Sequence, residues 1–149
     1  MKKLTTLTIA AATLVLAAPA MAQFAKPDDA IKYRQSALFV MQQNFGRVAA
    51  MAAGKVPFDA KLAAESADVA TFMSKLPWAA FVDGSDKGNT KAKPQIWTEK
   101  AKFNEYAEKM QGEMTKLDAA AKTGNLDSIK AAVGAVGGSC KACHDAFRM

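Results

Sequence analysis

The sequence has very few side chains of the kinds that hold metals or act as nucleophiles: two cysteines and one histidine among 149 residues. Two cysteines exclude a disulfide-dense scaffold, and with a single histidine they exclude a zinc site built from four Cys or His ligands. Alternating strand patterns and internal repeats are also lacking, whereas apolar residues make up 50% of the chain. The composition is therefore that of one folded, helical domain.

A strong excess of one charge is lacking as well, since 20 Lys and Arg stand against 14 Asp and Glu. The basic residues are mostly lysines, and they are spread among acidic residues along the chain. Nucleic-acid surfaces instead concentrate basic side chains on one face, with aromatic residues among them. We therefore expect no nucleic-acid partner.

Residues 1–22 have the features of a cleaved secretory signal. Lys2 and Lys3 begin it, an apolar stretch runs from Leu7 to Ala18, and Ala20-Met21-Ala22 offers the pattern that signal peptidase cuts. The apolar stretch is shorter than a membrane span, so we predict removal of the segment and no membrane anchor afterwards. The expected product is a single domain, residues 23–149, exported to the periplasm.

Four segments of that domain place apolar residues alternately three and four positions apart, as in helices that bury one face. The loop 83–94 is the one long connection, so we predict an all-α antiparallel four-helix bundle. The predicted helices cover approximately Pro27–Ala52, Asp59–Leu76, Glu99–Lys122 and Leu126–Phe147.

Local sequence also predicts one buried face and one helix cap. In the second helix, Leu62, Val69, Phe72 and Leu76 are predicted to face inward because they are its large apolar residues. Thr98 is predicted to cap the third helix. Both predictions rest on local sequence alone.

Three glycines inside the last helix, at positions 134, 137 and 138, are unusual. Each costs about 1 kcal/mol of helix stability relative to alanine. Close approach of a large flat group would explain them, and a close contact between two helices would explain them nearly as well.

Cys140-Lys141-Ala142-Cys143-His144 has the C-x-x-C-H spacing of a c-type haem attachment site. Thiols at i and i+3 share one helical face, where each adds to one vinyl group of the porphyrin, and the histidine binds the iron. A redox disulfide belongs to a βαβ pattern that is absent here. Two core cysteines beside a buried histidine is the remaining structural reading, and it leaves the spacing unexplained.

The ligand on the other side of the iron decides the function. Met41 lies on the inward stripe of the first helix, so it is the candidate for a sixth ligand, although a core methionine is commonly only filler. Without it, the iron is five-coordinate and faces an apolar pocket that admits small uncharged gases.

Other side chains are candidates for contact with the cofactor. Arg34 is a permanent charge on an apolar stripe, and a haem propionate would supply an anionic partner; the alternative is an arginine that extends to water. Phe81 either lines the porphyrin or is a core aromatic. Lys91 in the long loop is a further candidate for a propionate. Arg148 lies one turn after His144, where it either faces the haem or stabilises the helix end.

The residues resemble those of cytochrome c′, the class II c-type cytochromes of bacteria. The resemblance spans the predicted mature chain and includes a haem motif near the C-terminus. The segments that carry it are 23–27, Tyr33-Arg34-Gln35-Ser36-Ala37-Leu38, Leu76-Pro77-Trp78-Ala79-Ala80-Phe81, Pro94-Gln95-Ile96-Trp97 and the closing 140–148.

This resemblance implies a left-handed, up-down-up-down bundle that forms a homodimer through its first two helices. It implies one haem c per chain, with thioether links to Cys140 and Cys143 and with His144 as the only protein ligand of a high-spin iron.

The resemblance also implies roles for residues around the haem. Arg34 and Gln35 would contact the propionates, Leu38 and Phe81 would cover the vacant face, and Arg148 would stand beside the axial histidine. Low-spin relatives carry Arg-x-x-x-Met in the first helix, with that methionine on the iron. This chain has Leu38 at the ligand position, which favours five-coordination over ligation by Met41.

Three functions follow from these expectations. The chain binds nitric oxide and carbon monoxide and protects against nitric oxide, or it carries electrons between periplasmic redox partners not identified by the sequence, or it is a weak peroxidase. Peroxidase chemistry needs a base over the iron, and no second histidine exists, so we do not expect an enzyme.

Overall fold

The computed structural model describes residues 23–149, so the predicted signal segment, residues 1–22, lies outside the described residues. Helices account for most of this part of the chain. They are α1 (Pro27–Ala52), α2 (Ala60–Met73), α3 (Gln95–Thr98), α4 (Lys100–Lys122) and α5 (Leu126–Phe147), with a 3-10 helix at Pro77–Ala80.

The four long helices form one bundle. Helix α1 packs on α2, α2 on α4, α4 on α5, and α5 returns to α1. This closed order, in which chain neighbours are also neighbours in space, is that of an antiparallel four-helix bundle. The predicted fold class is thereby confirmed.

The ends of the helices follow from local chemistry. Helix α1 has Pro27 in its first turn, and the side chains of Asp59 and Asn125 cap α2 and α5 by accepting backbone N–H bonds of 2.9 Å. The predicted cap at Thr98 is wrong. A short helix ends there, and the Thr98 hydroxyl donates to the carbonyl of Gln95 instead.

The inward face of α2 differs from the prediction. Leu62, Val69 and Phe72 are exposed, and α2 ends at Met73, before Leu76. The buried face is made of small residues at equally helical spacing, which are Ala63, Ser66, Ala67 and Ala70. Small side chains let the axes of neighbouring helices approach closely. The large and the small residues of α2 form two faces with the same helical period, and the size of the side chains did not identify the buried face.

The largest fully buried side chains at the centre of the bundle come from three of its four long helices. Met114 and Leu117 of α4, Ile129 and Val136 of α5 and Val48 of α1 are all fully buried. This cluster occupies the bundle along most of its length. It stops short of the end where α5 finishes and where a second, aromatic cluster begins.

The three glycines of α5 do not mediate helix packing. A Cβ atom built on Gly134, Gly137 or Gly138 would meet nothing within 4 Å except its own helix. A close contact between two helices of this chain therefore does not explain the three glycines, and that prediction is wrong.

The connection between α2 and α4 covers one end of the bundle. It contains the 3-10 helix, the predicted loop 83–94 and the short helix α3. Two indole N–H groups fasten it, since Trp78 donates to the carbonyl of Ser74 and Trp97 to that of Val82, at 2.6 and 3.0 Å. Within residues 23–149, no helix is both long enough and apolar enough to span a membrane.

Candidate functional site

A cavity of about 630 Å³ opens where the connection crosses the bundle. Helices α1 and α5 form two of its walls, residues 78–92 form another, and Phe103 and Met114 of α4 contribute to its floor. Its volume lies in the range of sites for cofactors and drug-sized ligands, about 300–1,000 Å³.

The wall formed by α5 carries the attachment motif. Cys140, Cys143 and His144 all line the cavity, and both thiols are free and half-buried. They lie one helical turn apart on the same face, as the spacing predicted. The structure therefore brings the three residues of the motif to one surface.

Burial changes the acid–base properties of the motif. It raises the pKa of the Cys140 thiol, and it raises the pKa of Cys143, which also lies beside Cys140, to about 11. Such thiols are protonated at neutral pH, unlike the thiolates of redox-active C-x-x-C sites. Within the described residues, no group of three or more His, Cys, Asp or Glu side chains is arranged to hold a metal ion.

The imidazole of His144 favours its neutral form. Burial is the main cause of its lowered pKa, the positive charge of Arg148 adds to the effect, and Asp145 opposes it. A neutral imidazole has a free nitrogen lone pair, which is the form that binds iron.

The wall formed by α1 is mostly apolar, with Gln35 and Gln42 as its two polar side chains. Leu38, Met41 and Phe45 face the cavity from successive turns, and Trp78 and Phe81 join them from the connection. Phe81 packs against Phe103 with ring centroids 4.8 Å apart, inside a wider aromatic cluster. No ionisable side chain of α1 lines the cavity in the described structure.

Polar side chains line the solvent-facing opening of the cavity. Outside the attachment motif, the polar lining residues are Gln35, Gln42, Asn89, Thr90, Lys91 and Arg148. The Gln35 amide donates to the carbonyl of Asn89 at 2.8 Å, so α1 and the loop are joined at this point.

The last residues of the chain complete the opening. Ala92 and Arg148 form an isolated antiparallel bridge, and backbone N–H groups of Lys93 and Met149 donate to Phe147 and Lys91, each at 2.9 Å. The Lys93 ammonium also donates to two carbonyls at the end of α5. The loop and α5 are thus held in one fixed arrangement around the cavity.

Arg34 lies behind the cavity and not on its surface. It is 2% exposed, and burial lowers the pKa of its guanidinium. Its four hydrogen bonds, of 2.6 to 3.0 Å, go to the Ala80 carbonyl, the Ser85 hydroxyl and carbonyl, and the Thr90 hydroxyl. Neutral acceptors therefore take four of its N–H bonds, and the contact with a haem propionate stays a prediction.

Sequence reasoning missed the acceptors Ser85 and Thr90. They lie in a loop without hydrophobic period, so no pattern distinguished them from other surface hydroxyls. Their separation from Arg34, 51 and 56 positions, also hid the contact.

The arrangement of these groups fits a covalently attached haem. The interior is apolar, as the porphyrin ring requires, and two thiols and an imidazole lie on one wall. The opening carries Lys91 and Arg148, whose charges suit the two carboxylates of the ring. The fold and the site together define a helical-bundle protein of the c-type cytochrome class.

Comparison with known proteins agrees with this class and narrows it. The family model of Cytochrome C' matches residues 29–148, and the chain belongs to that family. Its cofactor is accordingly haem c.

Individual relatives support the same assignment. The chain is 56% identical over 127 residues to cytochrome c' of Rubrivivax gelatinosus, an alignment that covers 85% of this chain and 98% of the relative. The crystal structure of that protein superposes with a TM-score of 0.82 at 55% identity and covers 85% and 100% of the two chains. A nitric oxide complex of a variant of the Alcaligenes xylosoxidans protein superposes with a TM-score of 0.79 at 47% identity, over 85% and 98%.

Proposed function

We propose that the protein binds nitric oxide and carbon monoxide at a five-coordinate, high-spin haem iron whose only protein ligand is His144. The observation that carries the proposal is the apolar side of the cavity, where Leu38 of α1 and Phe81 of the connection offer no ligand for iron and no hydrogen bond to an anion. Small uncharged gases lose little hydration on entering such a space, whereas ions lose much. The nitric oxide complex of the Alcaligenes xylosoxidans variant supports this function.

The cofactor supplies an iron atom with one coordination position for a diatomic gas, and the chain supplies everything that controls access to it. Cys140 and Cys143 would hold the ring through thioether bonds, and His144 in its neutral form would bind the iron. Gln35 and Lys91 lie at the opening, where they would meet the propionates. Arg148 stands beside His144 and influences binding on that side.

Nitric oxide protection, electron transfer with a periplasmic redox partner, or both, would be the physiological use of this site. The predicted signal segment supports export to the periplasm. An enzymatic role is not proposed, because the cavity lining in the described structure contains no carboxylate and no histidine besides His144 to move protons.

We further propose a homodimer formed through α1 and α2. Large apolar side chains are exposed on these two helices, including Phe39 at 60% and Phe72 at 63%. An apolar face of this kind is commonly covered by a partner. Exposure of Leu62 and Val69 on the same helix as Phe72 supports the assignment.

A low-spin electron carrier is the second candidate, and one observation favours it. Met41 is buried and lines the cavity, so its sulfur has access to the same space as the iron. Leu38, one turn earlier, occupies the position at which low-spin relatives carry their methionine ligand.

The absorption spectrum of the purified, reduced, haem-loaded protein decides between these functions. A high-spin spectrum that changes on addition of carbon monoxide is expected. A low-spin spectrum indifferent to carbon monoxide would contradict the proposal, and conversion of that spectrum to high spin by Met41→Leu would identify the sixth ligand.

A further inference from the structure

The guanidinium of Arg34 joins helix α1 to the connection between α2 and α4. All four hydrogen bonds of its guanidinium go to residues 80–90, and all four acceptors are uncharged. No carboxylate lies within ion-pair distance of it in the described structure. One planar group therefore joins α1 to three separate points of the connection.

The same guanidinium supports an aromatic ring of the cavity wall. Its carbon atom lies over the Phe81 ring, 4.5 Å from the centroid, and 5.8 Å from the ring of Trp97. A desolvated cation in this position is attracted to the electron-rich face of the ring. Phe81 itself lines the cavity, so the arginine contacts a side chain of the cavity wall from behind.

The hydrogen-bond network continues to the opening of the cavity. The Thr90 hydroxyl accepts from Arg34 and from the backbone N–H of Ala92, at 3.0 and 3.1 Å. Ala92 forms the bridge with Arg148. Arg34 is thus connected through Thr90 to the strand pairing that surrounds Lys91.

From these contacts we propose that Arg34 is a positioning residue that fastens residues 80–90 to α1 and thereby sets how closely Phe81 restricts the gas pocket. The proposal rests on the proposed function, because it assumes that a gas enters this cavity. This role is distinct from charge compensation of a propionate, which stays a separate prediction for the same side chain. The structure places the guanidinium behind Phe81.

Four variants of the haem-loaded protein separate the two roles. Arg34→Met removes the charge and the hydrogen bonds, whereas Arg34→Lys keeps the charge and removes the planar fork. The double variant Ser85→Ala, Thr90→Val keeps Arg34 and its charge and removes two of its acceptors. Arg47→Met is the matched control, because it removes an exposed arginine from the same helix.

The first readout is the rate at which carbon monoxide binds the reduced protein. Positioning predicts faster association in Arg34→Met and in the Ser85/Thr90 double variant, by about threefold or more, a size that coupled contacting residues commonly reach. It also predicts that Arg34→Lys fails to restore the wild-type rate. Restoration by lysine together with a wild-type rate in the double variant would overturn the proposal, and so would wild-type rates in all four variants.

The second readout does not depend on gas binding. Trypsin should cut the loop at Lys87 and Lys91 faster in Arg34→Met and in the double variant than in the wild type or in Arg47→Met, with an altered near-ultraviolet circular dichroism of the aromatic cluster. Unchanged cleavage and dichroism would overturn the fastening role. If the wild type fails to bind carbon monoxide while these changes appear, the proposed gas function falls and the fastening of the loop stands.

Discussion

Replacing two glycines of α5 by alanine should stabilise the protein substantially. Gly134 and Gly138 are exposed, and an added Cβ would meet nothing within 4 Å at either position. Neither has a positive φ, so alanine adopts the existing backbone without strain. The change therefore restricts the unfolded chain and improves helix propensity with no steric cost.

The magnitude follows from these local properties. Each replacement should add about 1 kcal/mol to the free energy of unfolding, so the double variant Gly134→Ala, Gly138→Ala should gain about 2 kcal/mol. For a domain of this size, that gain corresponds to a rise of about 6–10 °C in melting temperature.

The assay is thermal unfolding of the haem-loaded protein followed by circular dichroism at 222 nm. Gly124→Ala is the matched control of opposite sign, because Gly124 ends α4 with φ of +68° and alanine there should cost about 1 kcal/mol or more. A lower melting temperature in the α5 double variant would refute the reasoning. It would mean that these glycines make room for the flat cofactor when it is bound.

Three further predictions concern the cavity, the loop and the proposed dimer. Leu38→Ala should raise carbon monoxide affinity because it removes a side chain from the gas pocket, and an unchanged affinity would count against the lid role of Leu38. Lys93→Met should lower the free energy of unfolding by about 1 kcal/mol, since the ammonium satisfies two carbonyls at the end of α5, whereas Lys141→Met should change it by only a few tenths. Phe72→Lys should shift the protein from dimer to monomer in sedimentation, and a dimer of undiminished strength would exclude α2 from the interface.

The sequence predicted those features whose cause is local. The bounds of α1 depend on residues within a few positions of one another, such as Pro27 in its first turn, and the structure reproduces both bounds. The face of the attachment motif is equally local, because i and i+3 positions of a helix always share a side.

Features that depend on distant residues were not predictable in this way. Alanine and large apolar residues have the same period in α2, and only the packing of neighbouring helices decides which face is buried. The acceptors of Arg34 come from a loop more than 45 positions away, and a single sequence gives no indication of that pairing. Charge on an apolar stripe identified Arg34 as unusual without revealing its partners.

The pairing of residues 91–93 with residues 147–149 has a consequence for the order in which the molecule folds. Contacts such as that between Lys93 and Asp145 close a chain segment of 52 positions, whereas the turns of each helix form between near neighbours. Long closures cost more chain entropy and are slow to form. We therefore expect the helical hairpins to form first and the pairing at the opening of the cavity to form last. The cavity then stays accessible to the cofactor until folding is complete.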